Sequence, residues 1–127
     1  MEVGIYDWDK KYQRKLRTQL KRYSRKRSGW KDHFTFFDQP QTLLTRQKEQ
    51  PFDVILLDVQ SDGFLVAEQL RRAYQDLRIA FVTSTEQYAL EAFRLCCFQY
   101  MLKPLTDEKL EELLDYARQL YLAGKQN

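Results

Sequence analysis

Four polar residues that could act at one site each follow a short apolar run of this chain. They are Asp7, Asp58, Thr83 and Lys103. In an open α/β sheet the carboxyl ends of the strands meet at one edge, and ligands bind at that edge. The pattern therefore predicts a site that contains two carboxylates, one hydroxyl and one cation, and it leaves the reaction open.

The hydrophobic pattern also predicts the elements that must position these residues. Strands are expected at residues 3–6, 34–37, 54–58, 79–83 and 98–102, and helices at 10–25, 42–49, 66–74, 86–94 and 106–123. The third strand is apolar on both faces, as is typical of the buried centre of a parallel sheet. Because strands and helices alternate through short loops, the sequence predicts an α/β fold with helices on both faces of the sheet.

The composition is that of one globular domain spanning residues 1–127. The chain is 43% hydrophobic and 14% aromatic, which is enough to bury a core without cross-links. Its longest apolar runs fall far short of the ~20 residues that cross a membrane. The N-terminus lacks the pattern of a secretory signal, so we expect a cytoplasmic protein with no membrane partner. The adjacent Cys96 and Cys97 are expected to be small buried hydrophobic residues.

Positive charge is concentrated around the predicted first helix. Residues 10–31 contain 11 of the 21 lysine and arginine residues and no acid, whereas the rest of the chain has 10 basic and 18 acidic residues. One interpretation is a helix face in contact with water. The other is a surface for nucleic acid or another anionic partner. Exterior residues that would form such a surface include Lys11, Arg14, Arg22 and Arg25.

Several motifs together resemble the receiver domain of two-component response regulators, over essentially the whole chain. They are the apolar run that ends at Asp58, the hydroxyl pair Thr83-Ser84, the segment at 86–93 and the segment at 100–105, which contains Lys103-Pro104. The last two segments are most similar to receivers of LytTR-type regulators. The resemblance implies a flavodoxin-like, doubly wound sheet of five parallel strands in the order 2-1-3-4-5, with five helices.

The resemblance also implies a function. Asp58 matches the aspartate that accepts a phosphoryl group from a sensor histidine kinase, and Lys103 matches the lysine that contacts the phosphoryl oxygens. Thr83 and Tyr100 match the hydroxyl and the aromatic residue that switch on phosphorylation. We further expect a cis Lys103–Pro104 bond and a homodimer through the fourth helix, fifth strand and fifth helix. The protein would be a regulator rather than an enzyme, and it would either act as a receiver alone or belong to a longer regulator with a DNA-binding output domain outside this chain.

Two departures from the family pattern concern the expected magnesium site. Receivers carry two adjacent acids after the first strand, whereas here Trp8 follows Asp7, and the loop after Asp58 is shorter than usual. The remaining acidic ligands would be Asp7 and Asp58, and an indole supplies no hard oxygen ligand for magnesium. We therefore expect weak or absent magnesium binding, and we expect the Trp8 indole to fill part of the metal pocket.

Three interpretations of the function follow. The chain is a regulator domain that is phosphorylated at Asp58, with phosphorylation weakened by the altered metal site. Alternatively, it is a pseudo-receiver, a protein-interaction module that keeps the fold and has lost the phosphoryl chemistry. The third and weakest interpretation is nucleic-acid binding through the basic first helix.

Overall fold

The chain folds into a parallel sheet with helices on both faces. The computed structural model describes residues 1–125. Its strands are β1 (Glu2–Tyr6), β2 (His33–Phe37), β3 (Val54–Leu57), β4 (Arg78–Thr83) and β5 (Gln99–Leu102). Its helices are α1 (Lys10–Lys26), α2 (Pro40–Glu49), α3 (Gly63–Ala73), α4 (Ala89–Arg94) and α5 (Asp107–Lys125). The sheet order β2-β1-β3-β4-β5 confirms the predicted flavodoxin-like fold, and residues 126 and 127 lie outside the described part of the chain.

The sheet separates two apolar cores. Residues of α1 and α5, including Leu16, Leu20 and Leu114, pack against one face of the sheet. Residues of α2 and α3, including Leu43 and Leu70, pack against the other face. Every residue of β3 is buried, in agreement with its continuous apolar sequence. The two cores hold the carboxyl ends of β1, β3, β4 and β5 at one edge.

Helix α1 follows directly from local sequence signals. The Asp9 carboxylate accepts hydrogen bonds from the amides of Lys11 and Tyr12, so Asp9 caps the helix as its residue type predicts. Residues spaced by three or four lie on one side of a helix. The residues that this spacing places inward are all buried, namely Tyr12, Leu16, Leu20 and Tyr23.

A ladder of ion pairs joins the end of α1 to α5. The pairs are Arg22–Asp107, Lys26–Glu111 and Arg27–Asp115, with nitrogen–oxygen distances of 2.7, 2.9 and 2.6 Å. The partners are 85 to 88 residues apart in the sequence. Part of the basic segment therefore balances acids of the same chain, and it is not simply a helix face in contact with water.

Some predicted features outside the site differ in the structure. Helix α4 begins at Ala89 rather than at residue 86, because a turn precedes it in which the Ala89 amide donates to the Glu86 carbonyl at 3.0 Å. Neither cysteine is fully buried as expected, since Cys97 is partly buried and Cys96 is exposed. Cys96 has a left-handed backbone conformation with φ of 56° in the turn after α4. Among the helices of residues 1–125, none is long and apolar enough to cross a membrane.

Candidate functional site

The four predicted site residues lie together at the carboxyl edge of the sheet. Asp7 and Asp58 follow the adjacent strands β1 and β3, and the Asp58 amide donates to the carbonyl of Tyr6 at 3.0 Å. Thr83 ends β4, and its carbonyl accepts a hydrogen bond from the Lys103 amide at 2.8 Å. The Lys103–Pro104 peptide bond is cis, as predicted. The sheet order thus brings together residues that are far apart in the sequence.

Lys103 forms ion pairs with both carboxylates. Its Nζ lies 2.7 Å from Asp58 Oδ2 and 2.8 Å from Asp7 Oδ2. Asp58 and Asp7 are only 1% and 3% exposed, and a buried ionised carboxylate needs a counter-charge. Lys103 Nζ also lies 4.2 Å from the ring centroid of Tyr12, whose face attracts a cation. Two acids and one aromatic ring therefore hold the ammonium group in place.

The other carboxylate oxygens also accept hydrogen bonds from the protein. Asp7 Oδ1 accepts from the amide of Asp9 at 2.9 Å. Asp58 Oδ1 accepts from the Gln60 amide and from the Thr83 hydroxyl, both at 2.9 Å. Each oxygen of the two carboxylates thus has a donor, and the network orients Asp58 between the ends of β3 and β4.

The cluster changes the pKa values of two of its members. Burial is the main cause of the raised pKa of Asp7, and the hydrogen bond from Lys103 offsets it only in part. Burial alone would lower the pKa of Lys103, but the hydrogen bonds to Asp58 and Asp7 outweigh it and the pKa is raised. With Lys103 protonated and both acids ionised, the cluster keeps one net negative charge.

The side chain of Trp8 contacts the loop that follows Asp58, and its filling of part of a metal pocket stays a prediction. Trp8 is 45% exposed, and its indole N–H donates to Gln60 Oε1 at 3.2 Å. Lys103, rather than the indole, lies between the two carboxylates.

Asp7 and Asp58 are the two acidic residues that could supply magnesium ligands at this edge of the sheet. Magnesium prefers near-octahedral oxygen ligands at about 2.0–2.1 Å. Within residues 1–125, no group of three or more acidic, histidine or cysteine side chains is placed to hold a metal ion. The pair of Asp7 and Asp58 is bridged by Lys103 instead, so a cation is already present between these acids.

Two tyrosines lie close to the residues of the cluster. Tyr12 contacts Lys103, and Tyr100 lies on β5, the strand that precedes Lys103. The Tyr100 hydroxyl donates to the Thr85 carbonyl, and the Tyr100 ring packs at 5.9 Å from the ring of Phe81. Tyr100 therefore connects β5 to the loop that follows Thr83. Sequence reasoning did not place Tyr12 at the site, because its helical spacing indicates only that it faces the core.

The four predicted interaction residues of α1 differ in their surroundings. Lys11, Arg14 and Arg25 are exposed. Arg22 instead donates to both carboxylate oxygens of Asp107 and so belongs to the contact between α1 and α5. Reversing the charge of Arg22 would thus break a surface ion pair between α1 and α5 as well as disturb any surface for a partner.

Known proteins share both the sequence and the fold of this chain. The model of the family described as "Response regulator receiver domain" matches residues 10–115. Sensory transduction protein LytT of Bacillus anthracis is 36% identical over 70 residues, which are 53% of this chain and 28% of LytT. Protein MrkE of Klebsiella pneumoniae is 31% identical over 81 residues, which are 61% of this chain and 30% of MrkE.

A solved structure gives the same result at the level of the fold. The response regulatory domain of MrkE from Klebsiella pneumoniae superposes with a TM-score of 0.77, at 26% identity and with 100% of both chains covered. The matched segment spans less than a third of the length of LytT and MrkE. Because the family model covers most of this chain, the chain belongs to the receiver domains of two-component response regulators, with LytT among its relatives.

Proposed function

We propose that this receiver has Asp58 at the phosphoacceptor position and is phosphorylated slowly, because Lys103 pairs with both acids in place of a tightly bound magnesium ion. If the rate of phosphorylation at Asp58 is zero, the protein is a pseudo-receiver, which is the alternative form of this proposal. A sensor histidine kinase is the phosphoryl donor that the family assignment suggests.

One observation carries this proposal, namely the bridge from Lys103 to both buried carboxylates. To attack a phosphoryl group, Asp58 must present an oxygen lone pair. Its Oδ2 is paired with Lys103, and its Oδ1 accepts from Gln60 and Thr83. The ion pair with Lys103 makes Oδ2 a weaker nucleophile, and the incoming phosphoryl group adds negative charge to a cluster that is already negative. Both effects favour slow phosphorylation.

The proposal is tested by restoring the missing acid. The natural protein and the Trp8→Asp variant are incubated with acetyl phosphate and magnesium, and the intact mass shows the fraction that gains one phosphoryl group. Transfer forms a bond from an Asp58 carboxylate oxygen to phosphorus and releases acetate. We expect Trp8→Asp to increase the rate about tenfold or more, because 1.4 kcal/mol of added charge stabilisation already gives a factor of ten.

Two control variants separate the acid from other effects. Trp8→Asn removes the indole without adding a charge, so it should stay as slow as the natural protein. Asp58→Asn in the Trp8→Asp background should abolish the gain, because the nucleophile is lost. Rapid phosphorylation of the natural protein that is lost in Asp58→Asn would contradict the proposal and favour an ordinary receiver.

We also propose that Thr83 and Tyr100 form the switch and that the surface of α4, β5 and α5 is a homodimer interface. The hydrogen bond from Thr83 to Asp58 supports the switch, since a change at Asp58 would release the Thr83 hydroxyl.

Large exposed apolar side chains support the homodimer interface, and the most exposed is Phe93 at 76%. The others on this surface are Leu90, Leu102 and Tyr116.

Replacing Phe93 with aspartate tests the interface. We expect the natural protein to dimerise with rising concentration and Phe93→Asp to stay monomeric, because a buried unpaired carboxylate opposes association. Sedimentation velocity measures both. Leu65→Asp serves as a matched control, because Leu65 is 57% exposed on α3, outside this surface. A natural protein that is monomeric at high concentration would contradict the interface.

A further inference from the structure

A groove between α1 and β2 combines cations with aromatic rings, and its lining contains no residue of the Asp58 cluster. It has a volume of about 370 Å³, and its lining includes Arg17, Lys21, Arg25, Phe34 and Phe36. The three cations are exposed, and both phenylalanines are half-buried against the core of α1 and α5. The groove therefore offers positive charge above an apolar floor.

The floor of the groove is an open edge of the sheet. Within residues 1–125, β2 is the edge strand and pairs only with β1. The His33 amide donates to Met1 and the Phe37 carbonyl accepts from Asp7, so alternate residues from His33 to Phe37 face β1. In a parallel ladder the intervening residues face the other way. The backbone amides of Phe34 and Phe36 therefore point toward the open edge.

The cations of the groove have a regular spacing. Arg17, Lys21 and Arg25 are four residues apart, which corresponds to about 6 Å along a helix axis. Alternate residues of an extended strand are about 6.7 Å apart and point the same way. Acidic side chains at every second position of a strand beside β2 would thus meet successive cations of α1, while its backbone meets the free amides of β2.

We propose that this groove binds an extended acidic segment of a partner protein, which adds to the sheet as a strand beside β2. The strand supplies backbone hydrogen bonds to Phe34 and Phe36, and its carboxylates pair with Lys21 and Arg25. The ion-pair ladder of α1 and α5 uses other cations, namely Arg22, Lys26 and Arg27, so the groove keeps its positive charge.

The geometry favours a peptide over single-stranded nucleic acid. Non-specific binding of single strands relies on aromatic rings on which the bases stack. Here the Arg17 guanidinium already lies 4.0 Å above the ring centroid of Phe36. That ring face is therefore covered, whereas the edge amides beside it remain suited to a polypeptide backbone.

A fluorescently labelled peptide in which glutamate alternates with threonine serves as the probe. Fluorescence anisotropy at physiological salt measures its affinity for the natural protein and for two double variants. Lys21→Glu with Arg25→Glu reverses charges in the groove. Lys11→Glu with Lys15→Glu makes the same change of net charge at exposed positions of α1 that do not line the groove. Circular dichroism confirms that both variants are folded.

We expect the groove variant to weaken binding about tenfold or more, a factor that corresponds to 1.4 kcal/mol, and the control variant to weaken it much less. Replacing the threonines of the peptide with proline should also abolish binding, since proline has no N–H to pair with β2. In NMR spectra of the complex, the amides of Phe34 and Phe36 should become protected from hydrogen exchange.

Three results would overturn the proposal. The first is no peptide binding by the natural protein at physiological salt. The second is an equal loss of binding in the two double variants, which would indicate net charge rather than a groove. The third is tighter binding of an oligothymidine strand that is lost in the groove variant, which would assign the surface to nucleic acid.

Discussion

Replacing Lys103 with methionine tests whether this lysine is the counter-charge of the buried acid pair. Methionine keeps much of the apolar stem and removes only the ammonium group. At an effective dielectric constant of about 20, a contact of 2.7 or 2.8 Å corresponds to about 6 kcal/mol of Coulomb attraction. The cost of removing the three charges from water offsets much of this attraction, and breaking a buried pair typically costs about 3–5 kcal/mol. We expect Lys103→Met to lower the free energy of unfolding by about that amount at neutral pH.

Urea unfolding in the presence of EDTA measures this loss, and its pH dependence identifies the cause. The pKa of Asp7 is raised by burial, and removal of Lys103 should raise it further. A group whose pKa is raised on folding favours the folded state at low pH and loses that contribution as the pH rises through its folded pKa. The loss caused by Lys103→Met should therefore shrink as the pH is lowered through the raised pKa of Asp7. It should also shrink when Asp58→Asn removes one of the two unpaired charges.

Added magnesium provides a second measurement on the same variant. Without Lys103 the two carboxylates are free to bind a divalent ion, so magnesium should stabilise Lys103→Met more than the natural protein. Equal stability of Lys103→Met and the natural protein at neutral pH, within about 0.5 kcal/mol, would refute the counter-charge role.

Two further predictions concern residues that support the site. Gly63→Ala should lower the free energy of unfolding by about 3 kcal/mol or more in urea titrations, because a Cβ at Gly63 would clash with the Asp58 carbonyl oxygen. The distance between the two atoms would be 1.6 Å. Gly124→Ala is the control, because a Cβ at Gly124 meets no neighbour. Tyr23 has a pKa raised to about 12 by burial and by its hydrogen bond to Asp115, so its contribution to stability is complete below pH 10 and is lost as the pH rises through 12. The shift of the Tyr23 pKa corresponds to about 2.7 kcal/mol of stability. We expect about half of this value in the measured free energy of unfolding, because Asp115 is partly exposed to water. Urea unfolding between these pH values should show this loss in the natural protein and a smaller one in Tyr23→Phe.

The fold was predictable because its signals are local. Apolar strands, the Asp9 cap and the inward stripe of α1 each depend on residues close together in the sequence, and all three are present. The α1–α5 ladder was not predictable in this way. Its partners are 85 to 88 residues apart, and a basic helix alone does not reveal which acids of the chain will face it.

The members of the site were predictable from the sequence, but the contacts of Trp8 were not. The strand ends indicate that Asp7, Asp58, Thr83 and Lys103 meet, and they do. The position of Trp8 depends on which way one side chain turns after β1, which neither hydrophobic pattern nor motif specifies. In the structure Trp8 is 45% exposed and its indole N–H donates to Gln60, which the sequence does not indicate.

The proposed interfaces lie at opposite edges of the sheet, and this placement has a consequence for regulation. The homodimer surface includes the edge strand β5, which Tyr100 connects to the loop after Thr83 and so to the Asp58 cluster. The groove lies at the other edge strand, β2, with β1 between it and the Asp58 strand. An event that changes the charge of Asp58 therefore has a direct structural route to the dimer surface through Thr83. No such hydrogen-bonded route links Asp58 to Lys21 or Arg25 among the contacts of residues 1–125. On these grounds a partner in the groove would bind constitutively, while dimerisation would respond to phosphorylation.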